Sequence, residues 1–274
     1  MTTDTPLYLM GRSDRETQRL IAVGDALNPF TRHVLHEAGL TEGMRVLDVG
    51  TGAGDVALLA AEIVGPSGHV IGLDQNPTIL KTAFARAQAA GRDNISFVAG
   101  DCTSAAAHGR FDAVVGRLVL MYLPNPADTI RALADQLNPG GVIAFQDYNL
   151  SRESCRTSPP VPLWQQVWDW VVDTAARAGI PAEIGFGLRR TFLRAGLPEP
   201  QMRLDSHVGG GPDAIAYAWM AESIRSMLPL ITGLGVATEE EIDVDTLADR
   251  LGDATVAGDA VAKAPDMVSA WTTV

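Results

Sequence analysis

The feature that most constrains this chain is a regular alternation of short apolar runs with helical stretches. Residues 45–50 (RVLDVG), 69–74 (HVIGLD), 95–99 (ISFVA), 111–116 (FDAVVG) and 142–148 (VIAFQDY) read as strands, and 55–64, 77–90 and 126–137 as the helices between them. Strands joined through helices need crossover connections, and crossovers join parallel neighbours, so an α/β fold with a parallel sheet is expected. The fifth run is entered through a turn at Asn138-Pro139-Gly140-Gly141. Ahead of the alternation, Ser13 and Glu16 have the spacing of a capping box, and Asn28-Pro29 reads as the start of a second helix that Gly39 stops. The rhythm breaks in the polar segment 151–162. A tryptophan-rich helix over 163–178, another ending near Gly196, a strand over 201–208, helices over 212–262 and a last strand over 267–273 follow. Three divisions result: 1–42, 43–150 and 151–274, the last with helical inserts at 163–196 and 212–262.

Charge narrows the function. The chain carries 21 basic and 33 acidic residues, a net charge of −12. From Glu199 onward thirteen acidic side chains face four basic ones. A phosphate backbone needs concentrated positive charge, so no nucleic-acid partner is expected. Two cysteines, Cys102 and Cys155, are too few for a disulfide framework. The sequence shows neither a basic-then-apolar leader nor an apolar run of roughly 18 residues, so the expectation is a cytoplasmic protein with no membrane attachment. A homodimer is the commonest assembly for such a chain.

Between the first strand and the helix after it lies Asp48-Val49-Gly50-Thr51-Gly52-Ala53-Gly54. Glycines there let backbone approach a ligand closely. A dinucleotide loop needs glycine at its first, third and sixth positions, and counting from Gly50 the sixth residue is Asp55. Asp48 adds a carboxylate that repels phosphate and suits a cation. Three readings stand at this point: a site for a cationic cofactor, a dinucleotide-dependent oxidoreductase, and a cofactor-binding module without turnover.

Over residues 43–150 the chain resembles the class I S-adenosylmethionine-dependent methyltransferases. VLDVGTGAG, GLDQNP, GDCT, FDAVVGRLVLMYLPNP and LNPGGVIAFQD are similar to five of their motifs, in order. The resemblance implies a three-layer Rossmann-like sandwich, a seven-stranded mostly parallel sheet with its last strand antiparallel, and a helical cap from the N-terminus and the late inserts. It implies S-adenosyl-L-methionine as cofactor: Gly50 and Gly52 under its methionine part, Asp48 near the amino group, Asp74 on the ribose hydroxyls, Asp101 on the adenine amino group, the backbone of Cys102 at the ring, and Arg117 lining the methionine end through its backbone. Thr51 and Gln75, in the same motifs, join this set. YLMGRSDRETQRL and PDMVSAW further resemble actinobacterial small-molecule methyltransferases of the ubiquinone-biosynthesis type, which implies that Tyr8 and Arg12 belong to a lid over cofactor or acceptor.

Methyl transfer needs alignment above all, and some acceptors also need a base. A parallel sheet places its site beyond the carboxyl ends of its strands. That criterion selects Asp147 and Tyr148 at the end of the fifth strand and His207 at the end of the sixth; His207 is the candidate base because imidazole titrates near neutrality. The alternative for His207 is a structural hydrogen bond. His33 and His36 share a helix face without forming a metal set, and no metal is expected. Trp164, Trp168 and Val171 share another face, either as core or as an aromatic wall, and Trp219 lies in the second insert. The expected activity is methylation of a small apolar or aromatic metabolite on O, N or C.

Overall fold

The structure is a computed structural model describing residues 14–274, with side chains from Gly24 onward; Tyr8, Arg12 and Ser13 lie outside the described residues. Its elements run α1 (Asp14–Glu37), β1 (Arg45–Val49), α2 (Asp55–Val64), β2 (His69–Asp74), α3 (Pro77–Ala89), β3 (Ile95–Ala99), β4 (Phe111–Arg117), α4 (Pro126–Ala134) and β5 (Leu137–Tyr148). Then come β6 (Arg156–Ser158), α5 (Pro162–Arg177), α6 (Ile184–Arg194), β7 (Gln201–Asp205), β8 (Val208–Gly209), α7 (Ile215–Gly233), α8 (Glu239–Ile242), α9 (Leu247–Ala257), β9 (Val261–Lys263) and β10 (Met267–Thr273).

Seven strands form one sheet in the order β3-β2-β1-β4-β5-β10-β7. β1 pairs in parallel with β2 and β4, β2 with β3, and β4 with β5, while one strand of the sheet runs antiparallel. Successive side chains in a strand point to opposite faces, and here both faces are buried. Val46, Val70, Ala113, Val115, Val142 and Ala144 pack with α1 and α2, whereas Leu47, Val114, Ile143 and Phe145 pack with α4 and α6. Burying one such large apolar side chain is worth roughly 1.5–3 kcal/mol, which makes these two layers the framework for the strand ends.

Two compact units are distinguishable. One comprises Leu20–Asp147, Phe186–Arg203 and Val268–Val274; the other includes Tyr148–Gly185 and Leu204–Met267. Within the second, β6, β9 and β8 form a small antiparallel sheet that the sequence did not suggest. Trp164 and Trp168 are core there, their indole N–H groups donating to Thr255 Oγ1 at 2.7 Å and to the Ser151 carbonyl at 2.9 Å.

Three boundaries differ from expectation. Asn28-Pro29 does not start a helix: Pro29 sits inside the continuous α1, since a proline φ is already helical and only one backbone hydrogen bond is lost. β5 begins at Leu137 and takes the expected turn at 138–141 into the strand, with a register irregularity opposite Phe111 and Ala113. The strand expected over 201–208 ends at Asp205, so His207 lies in the link to β8 rather than at a strand end.

Candidate functional site

The strand order reverses between β1 and β4, because β2 and β3 lie to one side of β1 and β4 and β5 to the other. Open α/β sheets bind ligands in the crevice beyond the carboxyl ends of the strands at that switch. The glycine loop leaves β1 there, and Arg117 ends β4 there.

Gly50, Gly52 and Gly54 have φ of 66°, 54° and 87°, the left-handed region where a side chain is strained. A Cβ on Gly50 would lie 2.7 Å from Val119 Cγ2, and one on Gly54 3.2 Å from Ala83 Cβ. On Gly52 it would meet only the Gly50 carbonyl at 3.9 Å. Two of the glycines are thus required by protein packing, whereas the third leaves an open surface.

A carboxylate flanks that surface. Asp74, at the end of β2, accepts the Gly52 N–H on Oδ2 at 2.9 Å and the Asn76 N–H on Oδ1 at 2.8 Å. A carboxylate oxygen has room for a further donor beside each of these, which suits a pair of hydroxyls. Asp101, after β3, caps the short 3-10 turn Cys102–His108 by accepting on Oδ1 from Thr103 N at 2.9 Å, Ser104 N at 3.3 Å and Thr103 Oγ1 at 2.5 Å. The Thr103 hydroxyl leads in holding its carboxyl below the usual range. Burial, helped by the charge of Asp101, pushes the Cys102 thiol up to about 11, so it is a neutral side chain. Gln75 is exposed and Thr51 buried.

Asp48 is buried within β1, and its Oδ2 accepts the Thr51 hydroxyl at 2.6 Å. Burial raises its carboxyl to about 7 against the opposing pull of Thr51 and of the Arg117 charge. Arg117 itself turns toward α1, where Nη1 donates to Asn28 Oδ1 at 3.2 Å and to Thr31 Oγ1 at 2.9 Å. The next residue, Leu118, takes a φ of 57°, a strained conformation for a leucine that no sequence signal announces.

Asp147 is fully buried with both carboxylate oxygens lacking a proper hydrogen bond; the Leu120 and Met121 amides lie nearby without completing one. Burial pushes it up to about 8, so at neutral pH it holds a proton and is a donor rather than a base. In the second unit, Tyr148 meets Trp219 edge to face, with ring centroids 6.1 Å apart. His207 is half-buried and its carbonyl accepts the Ala264 N–H at 2.9 Å. The glycine loop, Asp48, Asp74 and Asp101 therefore belong to one unit, and Tyr148 and His207 to the other. Among the described residues no group of three His, Cys, Asp or Glu side chains is placed to hold a metal ion, and no helix is long and apolar enough to cross a membrane.

Open glycine backbone bordered by an acidic group fits a ligand with a cationic head and hydroxyls, as S-adenosylmethionine has, and not a phosphate. Asp55, at the position where a dinucleotide loop needs glycine, is ion-paired with Arg86 at 2.8 Å, which leaves that pattern unmet. Comparison with known proteins points the same way. The aklanonic acid methyltransferase DauC of a Streptomyces species is 36% identical over 118 residues, covering 43% of this chain and 54% of that protein. A demethylmenaquinone methyltransferase of Listeria welshimeri is 30% identical over 129 residues, 47% and 51% of the two chains. The aligned part spans about half the length of these curated relatives. The solved structure of the YcgJ protein from Bacillus subtilis shares the fold at 16% identity, with a TM-score of 0.56 over 89% of this chain and 97% of that one. The profile of a methyltransferase-domain family matches residues 40–179, half of the chain. The chain belongs to this methyltransferase-domain family.

Proposed function

We propose that this protein transfers a methyl group from S-adenosylmethionine to a small apolar or aromatic metabolite. One observation carries the reading: the open face of Gly52, whose N–H is held by the Asp74 carboxylate. When bound, the cofactor supplies a methyl group already activated on a sulfonium, so the protein's task is alignment. Gly50, Thr51 and Gly52 would support its methionine part, with Asp48 on the ammonium and the Arg117 backbone beside it. Asp74 and Gln75 would take the ribose hydroxyls, and Asp101 and the Cys102 backbone the adenine.

For the acceptor, the Tyr148–Trp219 pair supports a planar or apolar molecule, since such rings offer large apolar area in fixed orientation. The names of the two relatives, for aklanonic acid and demethylmenaquinone, support a small-molecule acceptor. Asp147 would donate a hydrogen bond to the acceptor, and His207 would take its proton where the acceptor atom must lose one. By the resemblance, Tyr8 and Arg12 would be lid residues that touch cofactor or acceptor, and cytoplasmic action on a biosynthetic intermediate completes the reading.

Calorimetric titration with S-adenosylmethionine, S-adenosylhomocysteine and NAD, followed by methyl-transfer assays on phenolic, indolic and quinone acceptors, tests it. Binding of the first two with label transfer to an acceptor is the expected result. NAD binding without the other two overturns the cofactor, and cofactor binding with no transfer to any acceptor leaves a binding module.

A further inference from the structure

Arg117 is a buried arginine, its side chain 8% exposed, at the switch point of the sheet. Its family-derived role concerns its backbone, which leaves the guanidinium unexplained. That group reaches α1 through Asn28 and Thr31, residues 89 and 86 positions away in sequence, and its Nη2 lies 3.9 Å from Asp55 Oδ2. Asp55 opens α2 directly after Gly54. From the other side Arg86 donates to Asp55 Oδ1 at 2.8 Å and to the Ala53 carbonyl at 2.7 Å. The exit of the glycine loop, Ala53 to Asp55, thus lies between two arginines, and Arg117 carries the connection on to Asn28 and Thr31 of α1.

The packing of α1 makes that connection tight. A Cβ on Gly24 would fall 2.4 Å from Asp55 Cγ, so the α1 backbone rests on the Asp55 carboxyl with no side chain between them. Stability alone does not require a guanidinium here, because apolar residues of similar volume often replace buried ion pairs without loss. What the guanidinium adds is direction: its donors hold Asn28 and Thr31 of α1 while its charge stands 3.9 Å from Asp55, which relates α1, Asp55 and the end of β4 to one another.

We propose that Arg117 is a positioning residue that fastens α1 to the exit of the glycine loop, so that filling the loop with cofactor and seating α1 are one coupled event. The inference rests on the glycine loop being the cofactor cradle. Arg117 does not contact the cofactor through its side chain; it acts through Asp55, Asn28 and Thr31. The charge of Arg117 also reaches Asp48 and favours its ionised form, in line with a cradle built for a cation.

The test uses the full chain and S-adenosylhomocysteine as probe, with affinity from calorimetry and amide hydrogen exchange of residues 24–37 with and without the probe. In the wild type the probe slows exchange across this part of α1. In Arg117→Met that slowing disappears and affinity falls about tenfold, within the usual range of coupling between sites, while the melting temperature of the unliganded protein stays near wild type. Arg117→Lys recovers part of the affinity. The paired change Asn28→Ala with Thr31→Val keeps the guanidinium and reproduces the loss; added to Arg117→Met it produces no further loss, and it serves alone if Arg117→Met does not fold. Full slowing of α1 in Arg117→Met, or losses that simply add in the combined variant, would overturn the proposal. A wild type that fails to bind the probe would overturn the cradle reading on which it rests.

Discussion

The two faces of the central sheet bury carboxylates in opposite ways. On the face covered by α1 and α2, Asp48 and Asp55 come with Thr51, Arg86 and Arg117. On the face covered by α4 and α6, Asp147 sits fully buried with no completed hydrogen bond. Desolvation penalises the charged form in both places, but only the first face supplies counter-charge. The same residue type is therefore equipped to meet a cation on one face and to carry a proton on the other.

The largest effect should come from closing the cradle. Gly52→Val adds a side chain where a Cβ meets only one carbonyl, so the fold should survive with a loss of about 1–2 kcal/mol from the left-handed backbone. Cofactor binding measured by calorimetry should weaken about a hundredfold or more. A variant that binds normally would show that the open surface is not the cradle.

Next is Asp147→Val. Because its folded-state pKa, about 8, lies above the unfolded value near 4, the stability contributed by the bound proton is complete below pH 4 and declines as the pH rises toward 8. Removing the carboxyl should flatten that decline in denaturant titrations and stabilise the protein by about 1–3 kcal/mol at neutral pH, while turnover falls. Unchanged turnover would remove Asp147 from the acceptor side of the reading.

On the other face, Asp48 loses its proton near pH 7. Affinity for S-adenosylmethionine should therefore tighten up to about tenfold per pH unit on approaching 7 from below, and Asp48→Asn should bind weakly with a flat profile. Asp55 and Arg117 also face this carboxyl, so the control is the same titration in Arg117→Lys. The smallest effect belongs to α1's outer surface. There Arg32 makes a two-pronged pair with Glu62, at 2.9 and 3.0 Å, between exposed side chains. Arg32→Ala should cost less than about 1 kcal/mol in thermal melts and almost nothing in 1 M salt.

What the residues revealed in advance follows the same division between local and long-range. Strands β1, β2 and β4 were legible because apolar runs covered on both faces are continuous, and the glycine loop because positive φ selects glycine. Asp48, Asp74 and Asp101 stand out in the sequence as motif positions. Asn28-Pro29 misled because a helix-start pair is local chemistry, while burial of Val34 and Leu35 and the grip of Arg117 on Asn28 come from elsewhere in the chain. β6, β8 and β9, two or three residues each, carry too little pattern to read. The Arg117 network was hidden for the same reason: nothing near residue 117 says that residues 28 and 31 will meet it.

Asp74 has one further consequence. Two backbone amides, from Gly52 and Asn76, already hold its two carboxylate oxygens. A side chain so restrained has little rotational freedom left to surrender when a ligand arrives, whereas an unrestrained one forfeits about 0.5–1.5 kcal/mol. On the proposed reading, ribose recognition by Asp74 would be rigid-body docking onto a preset acceptor pair, with an entropic cost borne during folding rather than at each encounter with cofactor.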